Sequence, residues 1–429
     1  MYRIYIETYG CTANQSDGEI MKGILSRNGF QIVGNDKIAD IVIINTCSVK
    51  QTTENKIRSR IEELKEKFPE DNIIVAGCMQ ESEYDVVREL LPTSTLVSTH
   101  NTRQISKAVK KTINGKKLEF VGKTNEDKLQ LPKIRDNRFI AKVQIARGCI
   151  NKCSFCNTKI AKGNLFSYPE EKILKEVKKS HKNGCKEVQL TSQDNGCYGF
   201  DKDSNLAELM KKIIGLSGNF KVRIGMLNPH NLLVKDFLDD LIDIYNDNNV
   251  YKFIHVPVQS GSDKILNKMN RNHSVNDFLK IVEDFEREIN NLNLWTDMIV
   301  GFPGETEEDF EESMELLKKI KPDHVNISRF TPRPKTEAKE MDQLDSRIKK
   351  KRSREMSKVV RNLTAEKNKI WNEKESEVLV TEKVGENRYR GRNGSYKPVI
   401  LNSSEDLRGK FVQAKLRVEN NILLADVTN

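Results

Sequence analysis

Two long stretches of this chain alternate short apolar runs with amphipathic segments, and few architectures accept that pattern. In the first hundred residues the runs YRIYIETYG, DIVIINT and NIIVAG are almost continuously apolar. Strands read that way when both faces of their sheet are covered, which predicts an open parallel α/β sheet with helices on either side. From FIAKVQIA onward the alternation resumes, with strands expected near 139–145, 187–191, 221–226, 252–256, 295–300 and 323–328 and a helical pattern after each. Helix starts carry capping-box spacing at Ser167 with Glu170, Ser274 with Asp277 and Thr306 with Asp309. Strand-helix units of this kind predict a partial TIM barrel, (β/α)6, with its chemistry at the carboxyl ends of the strands.

The texture changes at two places. GKTNEDKLQLPKIRDN is polar and aperiodic and reads as a linker. Beyond Trp371, short alternating runs split by Gly, Asn and Ser predict a small all-β barrel. The expected organisation is therefore α/β: an N-terminal domain at 1–121, a linker at 122–137, a barrel domain at 138–370 and a β-barrel at 371–429.

Cysteines mark the chemistry. Cys149, Cys153 and Cys156 fall in RGCINKCSFC, directly after the first strand of the second alternation. Three crowded thiolates fit either a zinc site completed by a distant Cys or His, or three irons of a cubane cluster whose fourth iron stays free for a small ligand. Cys11, Cys47 and Cys78 each follow one of the N-terminal strands, so a parallel sheet would bring their strand ends to one edge. A disulfide framework is a poor fit for eight cysteines in 429 residues, three of them in one loop. Cys185 and Cys197 read as ordinary thiols, and His255 as a hydrogen-bonded core histidine.

Polar and Gly-rich segments follow the other barrel strands: LTSQDNGCYGFD, MLNPH, VPVQSGSD, VGFPGETEEDF and SRFTPRPKTEA. Such segments suit a cofactor pocket, where backbone must approach a ligand closely. Formal net charge is +10. Residues 341–370 alone hold ten Lys or Arg against four Asp or Glu. That basic stretch reads equally as a solvated helix face or as a nucleic-acid contact. No apolar run approaches the roughly 20 residues of a membrane helix, and the first residues read as a strand, so a cytoplasmic protein is expected.

The C-x3-C-x2-C spacing resembles the radical S-adenosylmethionine superfamily. TYGCTANQSD, NTCSV, AGC, RGCINKCSFC, VQLTSQDNGCYG, VPVQSGSDKILNKMNR, TDMIVGFPGETEEDF and RPKTEA together resemble one of its families, the methylthiotransferases, over almost the whole chain. The resemblance implies two 4Fe-4S clusters, one at Cys149, Cys153 and Cys156 and one at Cys11, Cys47 and Cys78, with a TRAM-like C-terminal barrel. It implies S-adenosylmethionine bound by candidates Gln193, Asp194, Arg223, Gln259, Ser260, Ile299 and Gly301. CNTKIAKGNLFSYP resembles the archaeal and eukaryotic branch, which methylthiolates C2 of N6-threonylcarbamoyladenosine at position 37 of tRNA, beside the anticodon. Other branches act on isopentenyladenosine or a ribosomal protein. The rival of another class is a non-catalytic metal-bearing RNA-binding protein. Expected partners are the tRNA anticodon stem-loop and an electron donor such as flavodoxin or ferredoxin. In most of the family an Arg precedes the glycine of that segment; here it is Lys162, which keeps the charge without the bidentate fork.

Overall fold

The structure, a computed structural model, describes residues 1–427. The last two residues of the expected 371–429 segment lie outside it. In the N-terminal domain, β1 (Arg3–Thr8), β2 (Gln31–Val33), β3 (Ile41–Thr46), β4 (Ile73–Gly77), β5 (Thr95–Ser98) and β6 (Glu119–Phe120) form one parallel sheet in the order β2-β1-β3-β4-β5-β6. Every residue of β3 and β4 is buried, because helices cover both faces. The order reverses between β1 and β3, and the carboxyl edge at such a switch point is a ligand position. Cys11 and Cys47 follow those two strands.

The second domain starts at β7 (Ile140–Gln144), and a short antiparallel pair follows, β8 (Ala146–Arg147) with β9 (Phe166–Ser167). The remaining barrel strands are β10 (Glu187–Thr191), β11 (Lys221–Arg223), β12 (Phe253–His255), β13 (Asn293–Val300) and β14 (His324–Arg329). They pair in parallel as two three-stranded sheets, β11-β10-β7 and β12-β13-β14, joined by a bridge between Val222 and Val250. This is the expected partial barrel, with β11 and β12 shorter than the apolar runs suggested. The capping boxes at Ser274–Asp277 and Thr306–Asp309 form. The one at Ser167–Glu170 does not: Ser167 is drawn into β9, its hydroxyl accepts from Gly199 N–H at 2.9 Å, and Pro169 occupies the cap position of the helix that follows.

The open side of the barrel is closed by the first domain. The helix Thr12–Arg27 packs on β7, where Lys142 pairs with Glu19 at 2.8 Å and Gln144 donates to Asp17 at 2.9 Å. Residues 122–137 have no regular structure, yet they are no loose tether. Buried Lys128 pairs with Asp17 at 2.7 Å, Lys133 with Glu176 at 3.0 Å, and Arg135 donates to Ser180 at 2.9 Å. Each contact joins residues distant in sequence, which is why composition alone reads the segment as linker.

The C-terminal strands β15 (Glu375–Lys383), β16 (Arg388–Asn393), β17 (Pro398–Asn402), β18 (Phe411–Glu419) and β19 (Ile422–Val427) close a barrel in the order β15-β16-β17-β19-β18. Its β16–β17 turn enters the amino-terminal end of the larger barrel. Tyr396, at φ 60°, sets its ring 4.9 Å from Tyr251 and 5.0 Å from Phe253, and Gln189 Nε2 donates to its hydroxyl at 3.1 Å. Lys397 pairs with Asp323 at 2.7 Å beside it. Among the described residues no helix is long and apolar enough to cross a membrane.

Candidate active site

The barrel cysteines sit on a loop that glycine makes possible. Gly148 holds φ 74°, and a Cβ there would lie 1.9 Å from Asn164 O. Its N–H donates to Gln193 Oε1 at 2.6 Å, tying the loop to the segment after β10. Cys149, Cys153 and Cys156 are half-buried and free. Cys156 caps the helix Asn157–Lys162, its Sγ accepting from Lys159 N–H at 3.4 Å. Burial, with Cys153 and Cys149 close by, pushes its thiol up to about 12.

Cys197 is also here. Its sulfur, Cys149 Sγ and an Asp194 carboxylate oxygen all lie within 4.8 Å of one another. Cys197 Sγ donates to Asp194 O at 3.3 Å, and the closeness of the two sulfurs lowers the Cys149 thiol and, with burial, raises that of Cys197. Cys197 is thus more than the ordinary thiol its sequence suggests. The available signal was its place just beyond β10, on the same barrel end as Cys149.

The N-terminal cysteines meet at the sheet edge. A Cβ on Gly10 would fall 2.3 Å from Cys47 Sγ, so the Cys11 loop lies directly on Cys47. Cys47 and Cys78 are buried and Cys11 exposed. Burial pushes the Cys78 thiol up to about 12; Lys162 opposes this while Cys47 and Cys11 add to it. Lys162 is itself buried, donates to Thr99 Oγ1 and lies 3.5 Å from Asp17 Oδ2. Burial alone would raise Asp17, but Lys128 and Lys162 outweigh it and hold the carboxyl at about 2.

Other candidates are spread over the barrel. Asp194 accepts from Gly196 N–H at 2.9 Å, Asn228 N–H at 3.1 Å and Asn231 Nδ2 at 2.5 Å, so internal donors already occupy its carboxylate. Arg223 reaches the barrel floor, its guanidinium 5.2 Å from the Phe253 ring centre and 5.9 Å from that of Tyr396. Gln259 is held at φ 80° by its N–H to Asp297 O and by accepting from Ile299 N–H, both at 2.9 Å. Ser260 is buried against Ser313, 3.4 Å between hydroxyls. Ile299 packs near Phe155, the residue before Cys156. Gly301 N–H donates to Glu305 Oε2 at 2.7 Å, and Arg352 of the basic helix pairs with Glu305 at 2.5 Å. His255 bonds to Asp297 at 3.0 Å, and Asn326 donates to the same oxygen at 2.7 Å.

Residues 3–98 match the family described as Uncharacterized protein family UPF0004, and residues 143–317 match the Radical SAM superfamily. A Methanothermobacter thermautotrophicus protein named "Probable threonylcarbamoyladenosine tRNA methylthiotransferase" is 39% identical over 99% of each chain. The Homo sapiens threonylcarbamoyladenosine tRNA methylthiotransferase is 34% identical, over 96% of this chain and 72% of its own. The chain belongs to the threonylcarbamoyladenosine tRNA methylthiotransferase family. Members of this family are radical S-adenosylmethionine enzymes that modify tRNA, and membership brings S-adenosylmethionine and an iron–sulfur cluster with it. Among solved structures, the radical S-adenosylmethionine methyltransferase TsrM from Kitasatospora setae aligns with a TM-score of 0.57 at 13% identity, over 79% of this chain and 76% of its own. The cobalamin-dependent enzyme OxsB aligns at 0.54 and 10%, over 84% and 56%. Both likenesses concern the fold. The donor set suits a methylthiotransferase: each triad offers three sulfurs, one at a strand end beside a fixed cation, Lys162, and the other on a loop shaped by Gly148.

Proposed function

We propose that the enzyme installs a methylthio group on C2 of N6-threonylcarbamoyladenosine at position 37 of tRNA, with S-adenosylmethionine as both radical source and methyl donor. Cys149, Cys153 and Cys156 hold one 4Fe-4S cluster, and Cys11, Cys47 and Cys78 hold a second that carries sulfur. The observation that supports this best is the helix Asn157–Lys162, which begins at one triad and ends at the other. Cys156 caps its start, and Lys162 at its end lies beside Cys78. Six residues rise only about 9 Å, a separation that one substrate nucleotide can bridge.

When bound, the clusters and S-adenosylmethionine supply a radical that removes hydrogen from C2 and the methylated sulfur that replaces it. The chain's own residues do the rest. Gln193 fixes the cysteine loop through Gly148, and Gln193, Gln259, Ile299 and Gly301 present the strand ends to S-adenosylmethionine. Asp194 and Ser260 set the turns from within, and Arg223 lies against Phe253 and Tyr396 at the barrel floor. Lys350, Arg354, Lys358 and Arg361 are exposed at helical spacing and make no ion pair among the described residues, so they supply phosphate contacts for tRNA. A small carrier such as flavodoxin or ferredoxin delivers the electron.

Deleting the gene should remove 2-methylthio-N6-threonylcarbamoyladenosine from tRNA hydrolysates analysed by mass spectrometry; its persistence would sink the substrate assignment. Reconstituted protein should hold about eight irons, and about four would remove the sulfur-carrying cluster. Cys156→Ala should abolish reductive cleavage of S-adenosylmethionine, whereas Cys78→Ala should keep cleavage and lose sulfur insertion. Equal losses in both variants would contradict that division.

A further inference from the structure

The segment after the helix Asp263–Lys268 folds over the barrel's cysteine loop and grips it. Ser154 N–H donates to Met269 O at 3.0 Å, and Ser154 Oγ donates to Lys268 O at 2.9 Å. Asn270 Nδ2 donates to Lys152 O at 2.8 Å. Asn270 and Asn272 take left-handed φ values of 55° and 56°, which turn the chain on either side of Arg271. That turn aims the Arg271 guanidinium inward, where it is only 6% exposed. Its Nη1 lies 3.5 Å from Cys153 Sγ, its Nη2 donates to Pro257 O at 2.6 Å, and its Nε has no partner among the described residues.

We propose that Arg271 is a positioning residue for the radical cluster, acting through Cys153 to hold a fixed positive charge against its sulfur and so to ease entry of the electron. This rests on the reading that Cys149, Cys153 and Cys156 hold that cluster. Three thiolates make the assembly anionic, and each electron added makes it more so. A buried cation therefore favours the reduced state, and an N–H directed at a ligand sulfur acts in the same sense. The opposing charge is Asp194, which shares the barrel end with Cys149. Without Arg271, the cation left at the loop is Lys159, whose ammonium donates to Cys149 O and not to a ligand sulfur. The fork matters as well, because one Nη reaches the sulfur while the other is anchored on Pro257 O.

The experiment compares reconstituted full-length wild type, R271Q, R271K and N270G. The reduction potential is followed on the electron paramagnetic resonance signal that changes when S-adenosylmethionine is added, which singles out the barrel cluster. R271Q should bind wild-type iron but show an about tenfold lower reduced-to-oxidised ratio at fixed potential, or about 59 mV for one electron. R271K should recover part of that ratio, and N270G, which removes the bond to Lys152 O but keeps the left-handed turn and the charge, should leave it unchanged. An unshifted R271Q, or equal shifts in R271Q and N270G, overturns the proposal. Loss of iron from R271Q and R271K alike, with N270G loaded, also overturns it, since Lys keeps the charge. A wild type that takes up no iron removes the cluster reading first and this proposal with it.

Discussion

Lys162 is buried between two domains, its ammonium bonded to Thr99 and near Asp17, with Cys78 alongside. Breaking a buried ion pair outright costs about 3–5 kcal/mol, but here Asp17 would keep Lys128. Lys162→Met should therefore destabilise the protein by about 2 kcal/mol in urea unfolding of the metal-free chain. A loss below about 0.5 kcal/mol would mean that Lys128 alone satisfies Asp17. At this scale the two cysteine triads were legible, because thiols at short spacing or just after apolar strands announce themselves locally. Cys197 and Arg271 were not. Cys197 reaches Cys149 only through the curl of the chain beyond β10, and Arg271 reaches Cys153 across more than a hundred residues of sequence. No window of sequence contains either contact.

The basic helix Ser346–Lys369 divides its charge between two jobs. Lys349, Arg352, Met356, Val360 and Leu363 form a buried face at helical spacing. On it, Arg352 pairs with Glu305 and Glu307, while Lys349 covers Gly301 so closely that a Cβ there would lie 2.4 Å from its Cγ. Composition could count these cations but could not sort them, since Lys and Arg are rarely buried unless paired and the pairing acids lie in another element. The outer ridge of Lys350, Arg354, Lys358 and Arg361 makes no ion pair among the described residues. Replacing Lys350, Arg354, Lys358 and Arg361 with Ala should weaken tRNA binding and flatten its salt dependence by about one unit of log–log slope for each phosphate no longer neutralised. Filter binding across a salt series checks this; an unchanged slope would put the RNA on another face. Arg352→Ala should instead lower stability, because Glu305 is left buried without its charge partner.

At the scale of the whole molecule, the first domain and the barrel share a buried acidic pair. Arg333, after β14, contacts Glu54 and lies 3.5 Å from Glu83, and Asn157 donates to Glu83 at 2.7 Å. Burial, then the charge of Glu54, pushes the Glu83 carboxyl from 4.5 up to about 7. A carboxyl raised in this way binds its proton more tightly in the folded state, so it removes stability as pH climbs from 4.5 to about 7 and nothing further above. Glu83→Gln should match wild type in denaturant midpoint below that window and exceed it above; parallel curves would show that Glu83 ionises without cost. The layered architecture was readable because alternation of apolar runs is a global signal repeated many times. The docking of the C-terminal barrel was not, since one tyrosine in a tight turn carries no periodicity. Tyr396 packs on Tyr251 and Phe253 at the amino-terminal end, opposite the strand ends that carry the cysteine loop. That tyrosine is translated long after the strands it covers, so the larger barrel leaves the ribosome with Tyr251 and Phe253 uncapped until the C-terminal strands have folded.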